Sequence, residues 1–241
     1  LSENPYESEQ LLAEYLLFHY GSADEILPAA APAGMKDSLD FAVRTPRHFS
    51  PGQVARSLDL GCAVGRSTYE LSRHSDACLG IDFSDRFVRA AAALAAAPLP
   101  YSRRDEAHLR TPLLARLPAG LPVGAVAFET GDAMNLRPDL GDFDRVHAAN
   151  LLCRLPEPDR LLARLPSLVR PGGELVLATP CTWLGEFTPP PHWPTGSTLD
   201  WLKDHLAPHF QLLRVADEPF LIRETARKFQ WTSSMVTVWK R

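Results

Sequence analysis

From residue 56 onward, short runs of β-branched and leucine residues alternate with stretches whose apolar positions recur every three or four residues. Short apolar runs bounded by turn signals mark strands, the 3.6-residue period marks helices, and their alternation is the signature of βαβ units around a parallel sheet. The pattern predicts strands at 57–60, 77–81, 125–129, 145–149 and 174–179, with two more at 210–216 and 235–240. Helices are expected at 67–74, at 84–97 where Pro98 stops the second, and at 159–169. At the other end of the chain, Asn4-Pro5-Tyr6-Glu7 has the form of a helix start, with Asn4 as N-cap and Pro5 where its missing N–H costs nothing. That helix should reach about Gly21 and pack Leu11, Leu12, Tyr15, Leu16 and His19 against the body.

Four stretches break the rhythm. Residues 22–51 dissolve into Ala, Pro and Gly and are expected to be irregular, so 1–55 reads as a helix plus extension at the pocket rim. Residues 99–123, 181–198 and 218–232 read as inserts in a domain spanning 56–241. Inserts beyond the carboxyl ends of parallel strands are where α/β proteins build substrate pockets, so 181–198 carries the most interest.

With 241 residues, 45% of them hydrophobic, the chain supports one core rather than two. A net charge of −4 gives no attraction for phosphate backbones or anionic lipid, so neither nucleic acid nor membrane is an expected partner. Cys62, Cys78, Cys153 and Cys181 form no C-x-x-C pair, which argues against a zinc site or disulfide framework and fits a reducing, cytoplasmic setting. No metal is expected; His205 and His209 lie four apart without a third ligand, and His19 and His147 read as hydrogen-bonded packing residues. The opening Leu1 leaves a trimmed chain or a module of a longer polypeptide equally open.

The candidate chemistry lies at three strand ends. Leu58-Asp59-Leu60-Gly61-Cys62-Ala63-Val64-Gly65 is an apolar strand running into a Gly-x-x-x-Gly turn and a helix. It lacks the added glycine of the G-x-G-x-x-G turn that cradles a pyrophosphate. Leu79-Gly80-Ile81-Asp82-Phe83-Ser84 places a carboxylate at the next strand end, where it either accepts from ribose hydroxyls or caps the following helix. Glu129-Thr130-Gly131-Asp132-Ala133-Met134 places Asp132 beyond the third strand, as an acceptor for a base amino group or as a turn aspartate.

Together with Phe143-Asp144-Arg145-Val146-His147-Ala148-Ala149-Asn150 and Val169-Arg170-Pro171-Gly172-Gly173-Glu174-Leu175, these elements resemble the class I S-adenosylmethionine (SAM)-dependent methyltransferase family over residues 56–180. The resemblance implies an α/β, Rossmann-like, doubly wound seven-stranded sheet, mostly parallel with an antiparallel last strand. It also implies that SAM is bound and S-adenosylhomocysteine released. By position, Gly61, Cys62, Ala63 and Gly65 would admit the methionine part, Asp59 would brace the turn, and Asp82 would hold the ribose. Asp132 and the Ala133 backbone would hold the adenine, Phe83 would lie against it or pack in the core, and Asn150 would line the floor.

Asn4-Pro5-Tyr6-Glu7-Ser8, Gly131-Asp132-Ala133-Met134-Asn135-Leu136, Asn150-Leu151-Leu152-Cys153-Arg154-Leu155 and Ile222-Arg223-Glu224-Thr225-Ala226-Arg227-Lys228-Phe229-Gln230-Trp231 resemble the narrower ovothiol-pathway methyltransferase family. That family occurs free-standing or as a module of a sulfoxide synthase, which makes such a synthase the expected protein partner. The resemblance implies 5-thiohistidine (4-mercaptohistidine) as substrate, methylated on the imidazole nitrogen nearest the methylene.

Transfer from a sulfonium needs positioning more than a nucleophilic side chain, so Asn150 is the candidate catalytic residue in a positioning role. An amino-acid substrate needs its carboxylate and ammonium matched, for which Arg154, Arg223, Arg227 and Lys228, and Glu224, are candidates unless they form a solvated surface cluster. Tyr6, Trp183, Phe187, Phe229 and Trp231 either wall the imidazole or pack in the core. Other small N-, O- or S-nucleophiles, a dinucleotide oxidoreductase and a silent SAM-binding module remain the alternatives.

Overall fold

A computed structural model describes residues 5–241. In chain order the helices are α1 (Glu9–Tyr20), α2 (Ala23–Ile26), α3 (Ala33–Lys36), α4 (Phe41–Arg44), α5 (Arg66–Leu71), α6 (Asp85–Ala93), α7 (Pro158–Leu168) and α8 (Thr198–Leu206). The strands are β1 (Val54–Leu60), β2 (Ser75–Asp82), β3 (Leu99–Glu106), β4 (Leu109–Ala115), β5 (Val126–Thr130), β6 (Phe143–Ala149), β7 (Val169–Thr179), β8 (Gln211–Arg223) and β9 (Phe229–Lys240).

Seven strands form one sheet in the order β5-β2-β1-β6-β7-β9-β8. The first five run parallel, and β9 lies antiparallel to both neighbours. The seven-stranded, mostly parallel α/β sheet expected from the sequence is therefore the architecture. Strand periodicity divides its two faces. Leu175 and Leu177 join Leu161, Leu165, Leu202 and Leu206 under α7 and α8, whereas Val176 and Ala178 join Phe41, Leu71 and Phe220 on the other side. The order reverses between β1 and β6, and at such a switch point the carboxyl strand ends part to leave a crevice.

Several expectations change. Pro5–Glu7 is a 3-10 turn, and α1 starts only at Glu9, with the Ser8 hydroxyl accepting from Leu11 N–H at 3.2 Å. The proposed cap Asn4 lies outside the described residues. The stretch 22–51 holds three short helices, one opened by a capping box between Ser22 and Glu25. Residues 99–123 are largely the β3–β4 hairpin, separate from the main sheet. Its Pro100 and Pro112 break the alternation that betrays a strand, and a two-stranded edge tolerates them. Residues 218–232 are no insert: β8 and β9 pair through Arg223 and Phe229, so the hairpin extends past Thr179, the last residue of β7. Its Glu218, Pro219 and Gln230 interrupt the apolar pattern where the hairpin leaves the sheet and needs no two-sided core.

Candidate cofactor and acceptor site

The turn after β1 carries three positive φ values within five residues: 70° at Gly61, 47° at Ala63 and 84° at Gly65. Gly61 and Cys62 N–H both donate to the Ile81 carbonyl, at 2.8 and 3.1 Å, which draws the turn against the end of β2. A Cβ on Gly65 would stand 2.7 Å from Phe128 and 2.8 Å from Ala91, so this glycine serves close packing as well as the turn. A Cβ on Gly61 would meet Leu151 at 3.1 Å, so Leu151 covers that glycine. Beneath the turn, Asp59 is buried and accepts from the Thr68 hydroxyl at 2.7 Å and from His147 Nδ1–H at 2.7 Å. His147 Nε2 lies 3.0 Å from the Thr45 hydroxyl, so this polar chain ties the N-terminal extension to the base of the turn.

Asp82 joins the three strand ends. Its Oδ2 accepts from Ala63 N–H at 2.8 Å, its Oδ1 accepts from Ser84 N–H at 2.9 Å, and its carbonyl accepts from Gly131 N–H at 2.9 Å. The cap of α6 is the neighbouring Ser84, whose hydroxyl accepts from Phe87 N–H, so Asp82 is not the helix cap. Burial pushes its carboxyl above the usual range, and the Ser84 and Ala63 N–H groups pull it part of the way back. Phe83, next in the chain, is 63% exposed rather than packed in the core. Asp132 is a turn aspartate in that its Oδ1 accepts from Met134 N–H at 2.9 Å; Ala133 beside it is buried.

On the acceptor side, Asn150 sits just past β6 at φ 56°, with its N–H on the Ala178 carbonyl and its Oδ1 accepting from the Ser234 hydroxyl at 2.7 Å. Arg154 stands over the Phe187 ring, 4.6 Å from its centroid. It also hydrogen-bonds the Tyr6 hydroxyl, whose pKa burial raises against the pull of that guanidinium and with a push from Asp82. The Tyr6 carbonyl accepts from the Ser84 hydroxyl at 3.0 Å. Tyr6, Arg154 and Phe187 thus gather near Asp82, and the turn that carries Tyr6 packs against α1 and α6.

The remaining predicted acceptor residues lie elsewhere. Arg223 is buried, with Nη1 on the Ile26 carbonyl at 2.9 Å and Nη2 on Asp105 at 2.9 Å, so it clamps β8 to α2 and the β3–β4 hairpin. Phe229 packs 5.9 Å from that guanidinium. Glu224 and Lys228 pair with each other at 2.6 Å across the β8–β9 turn, and Arg227 is exposed there. Trp231 is 60% exposed and donates to the Ser38 hydroxyl at 2.8 Å. Trp183 donates to Thr198 at 3.0 Å and packs edge-on against Trp201. The charges of Arg223, Glu224 and Lys228 are thus matched within the protein, unlike that of Arg154.

A family model described as a methyltransferase domain matches residues 29–232. The chain belongs to the methyltransferase domain family. The O-methyltransferase cnsE of Penicillium expansum is 31% identical over 169 residues, covering 70% of this chain and 52% of that protein. The chain thus spans about half the length of this curated relative. Among solved structures, the [4+2]-cyclase SpnF aligns with a TM-score of 0.60 at 21% identity, over 88% of this chain and 73% of that one. A SAM-dependent methyltransferase from Mesorhizobium loti aligns at 0.52 and 17% identity, over 84% and 97%. Those two likenesses bear on the fold alone, which is that of a class I methyltransferase.

The acceptor atoms at these strand ends fit a nucleoside. A carboxylate offers about four lone-pair positions; Asp82 accepts from the Ala63 and Ser84 N–H groups, the Phe83 N–H also favours its charged form, and acceptor capacity is left for a ribose hydroxyl. The exposed Phe83 ring beside it suits a base face. Sequence reasoning missed Leu151 over Gly61 and the hydroxyl of Ser234 on Asn150, whereas Tyr15 packs as expected, 4.8 Å from Phe87. A cavity of about 860 Å³ opens away from these strand ends, between Tyr20, Ser22 and Glu25 on one side and Tyr101, Leu113 and Arg116 on the other.

Proposed function

We propose that this methyltransferase domain moves a methyl group from SAM to the side-chain-proximal imidazole nitrogen of 5-thiohistidine, giving ovothiol A and S-adenosylhomocysteine. The observation that carries the acceptor assignment is Arg154. Its guanidinium rests on Phe187 and Tyr6 next to the Asp82 strand end and forms no ion pair with a carboxylate among the described residues. An amino-acid carboxylate is the group such a fork matches. Resemblance of the termini and of the segment around Arg154 to the ovothiol-pathway family supplies the identity of the ring.

Bound SAM supplies a methyl group on a sulfonium that leaves as a thioether. The protein's part is to orient. Asp82 holds the ribose with the acceptor capacity its backbone partners leave, Asp132 and the Ala133 backbone hold the base, and the glycine turn beside Leu151 receives the methionine part. Asn150, with Oδ1 fixed by Ser234, keeps its amide N–H₂ for the floor of the acceptor site. A thiolate on the same ring is the softer nucleophile, so alignment decides which atom is methylated. A sulfoxide synthase, fused or separate, would supply the thiol-bearing substrate. A reducing cytoplasm suits the reading, since all four cysteines are unpaired.

A second reading has one observation behind it: the relative cnsE carries an O-methyltransferase name, which favours an oxygen acceptor in the same crevice. Incubation with SAM and 5-thiohistidine, histidine, a phenol or a simple thiol, followed by mass-spectrometric location of the new methyl group, separates the two. N-methylation of 5-thiohistidine well ahead of the others is expected. Preferred methylation of the phenol would replace the first reading with the second, and SAM binding without any turnover would reduce the domain to a silent module.

A further inference from the structure

Arg223 matches its charge to Asp105, but one of its nitrogens is left over. Its side chain is buried, Nη1 and Nη2 hold the Ile26 carbonyl and Asp105, and Nε is sealed from solvent with no hydrogen-bond partner among the described residues. A buried N–H without an acceptor is rare in native structures, and an ordered water or an ion is the usual reason for one. The Arg223 side chain lines a narrow pocket between α1, the β3–β4 hairpin and the β8–β9 turn, together with Glu14, Arg103, Arg104, Arg110 and Glu224. Its free space is about 10 Å³, room for one water or one oxygen atom.

The surroundings favour an anion over water. Arg103 Nε and Arg223 Nη2 both bond Asp105 Oδ1, at 2.8 and 2.9 Å, so one carboxylate serves two guanidiniums. Burial lowers the pKa of the Arg223 guanidinium, and the charge of Arg103 pushes it the same way. Arg104 and Arg110 are direct partners across the β3–β4 ladder, a like-charge pairing that destabilises a hairpin unless a counter-ion offsets it. Arg104 donates from Nε to the Glu224 carbonyl at 3.2 Å, Arg110 is exposed, and neither forms an ion pair among the described residues. Of the two carboxylates lining the pocket, Glu224 is held by Lys228 at 2.6 Å and Glu14 accepts from Gln10 at 3.0 Å. Positive charge is therefore in excess there.

We propose that this pocket binds a phosphate group, with one oxygen entering toward Arg223 and the others bridging the Arg104 and Arg110 guanidiniums. A tetrahedral oxyanion presents oxygens in several directions, which suits donors that converge from the hairpin and from β8, and guanidinium–phosphate pairs are strong charge-assisted bonds. The site shares no lining residue with the cluster of Tyr6, Arg154 and Phe187 near Asp82. It lies instead at the joint where Arg223 ties β8 to α2 and to the β3–β4 hairpin. Bound phosphate steadies that joint, and the assignment is independent of which acceptor the enzyme methylates.

The test titrates the whole protein with inorganic phosphate and with glycerol 3-phosphate, against chloride at constant ionic strength. Saturable binding by calorimetry is expected, with a shift of the Arg223 Nε–H resonance and a Tm raised by about 4 °C at ten times the dissociation constant. Tighter binding of the ester assigns the site to a phosphorylated metabolite, and tighter binding of inorganic phosphate assigns it to the free ion. Arg110→Gln changes an exposed side chain and should fold. Without phosphate its Tm should equal or slightly exceed that of the wild type, because the facing like charge is gone, while phosphate binds about 10-fold more weakly and SAM affinity stays the same. Absence of saturable binding, or an unmoved Nε–H resonance, means that the leftover N–H holds water only and overturns the proposal. Equal phosphate affinity in wild type and Arg110→Gln overturns it as well.

Discussion

Arg154 and Arg223 look alike along the chain, each in a polar segment with an aromatic residue not far off. In the fold they differ in what their nitrogens already hold. Arg223 is buried against Phe229, with one nitrogen on the Asp105 carboxylate and another on the Ile26 carbonyl. Arg154 rests on Phe187 and a tyrosine hydroxyl, with its one further hydrogen bond to the neighbouring Cys153 carbonyl. Among the described residues, the second has no carboxylate partner. An arginine signals a binding site when its charge is unmatched, and that is a property of the fold rather than of the local sequence.

The largest effect expected from this contrast is on stability. Arg223→Leu removes the charge that partners Asp105 and leaves the Ile26 carbonyl without its donor. Because Asp105 is only partly buried, the loss should be about 2–4 kcal/mol, at the lower side of that for a fully buried pair. Thermal unfolding should show a lower Tm, with SAM affinity and acceptor KM unchanged in the folded fraction. A normal Tm with a raised acceptor KM would put Arg223 in the site and erase the distinction.

Asp82 comes next. Asp82→Ala should weaken SAM binding by about 1.5–3 kcal/mol, the scale of hydrogen bonds to a charged group. Its pH behaviour sharpens the point. The folded-state pKa is raised by burial, so on acidification the carboxylate is lost at a higher pH than an exposed aspartate would show, and SAM affinity should fall there. Stability of the SAM-free domain should drift the other way. The contribution from Asp82 is present below its unfolded pKa and is lost as pH rises through the raised folded value. Calorimetric titration of wild type and Asp82→Asn across the acidic range checks both trends, and an unaltered pH profile in the variant would place the ribose contact elsewhere.

Arg154→Ala should raise the KM of an amino-acid acceptor about 10- to 50-fold, again the range of a charge-assisted bond, with SAM affinity nearly constant. Steady-state kinetics with 5-thiohistidine beside its decarboxylated amine would show it, because the amine should be indifferent to the substitution. If SAM affinity drops instead, Arg154 serves the methionine carboxylate.

The sheet was legible because its central strands are buried on both faces and read as apolar runs, and the three strand-end motifs were legible because each joins a run to a turn. Hydrogen bonds from Ala63 and Gly131 to Asp82 bear out their proximity. The β3–β4 hairpin was not legible, since one face meets solvent and prolines interrupt it. The role of Arg223 was hidden for another reason: its partner Asp105 lies 118 residues away, in that same unrecognised hairpin. Helix α1 misleads in a third way. It packs between β3 and β8, burying Leu16 and Leu17, while Tyr15 packs 4.8 Å from Phe87 and Tyr20 donates to the Val64 carbonyl, so one amphipathic stripe does not describe it.

Trp231 offers the smallest and most pointed test. It was grouped with the acceptor walls, yet its ring is mostly in solvent and its indole N–H donates to the buried Ser38 hydroxyl, joining β9 to the N-terminal extension. Trp231→Phe keeps an aromatic ring and removes that donor. Since one end of the bond is exposed, the stability cost should be about 0.5–1 kcal/mol, and acceptor KM should remain within about twofold of wild type. Chemical denaturation and steady-state kinetics on the same preparation measure both. A large rise in KM with little change in stability would mean that the hairpin tip closes over the acceptor, and the β8–β9 residues would then belong with Arg154 after all.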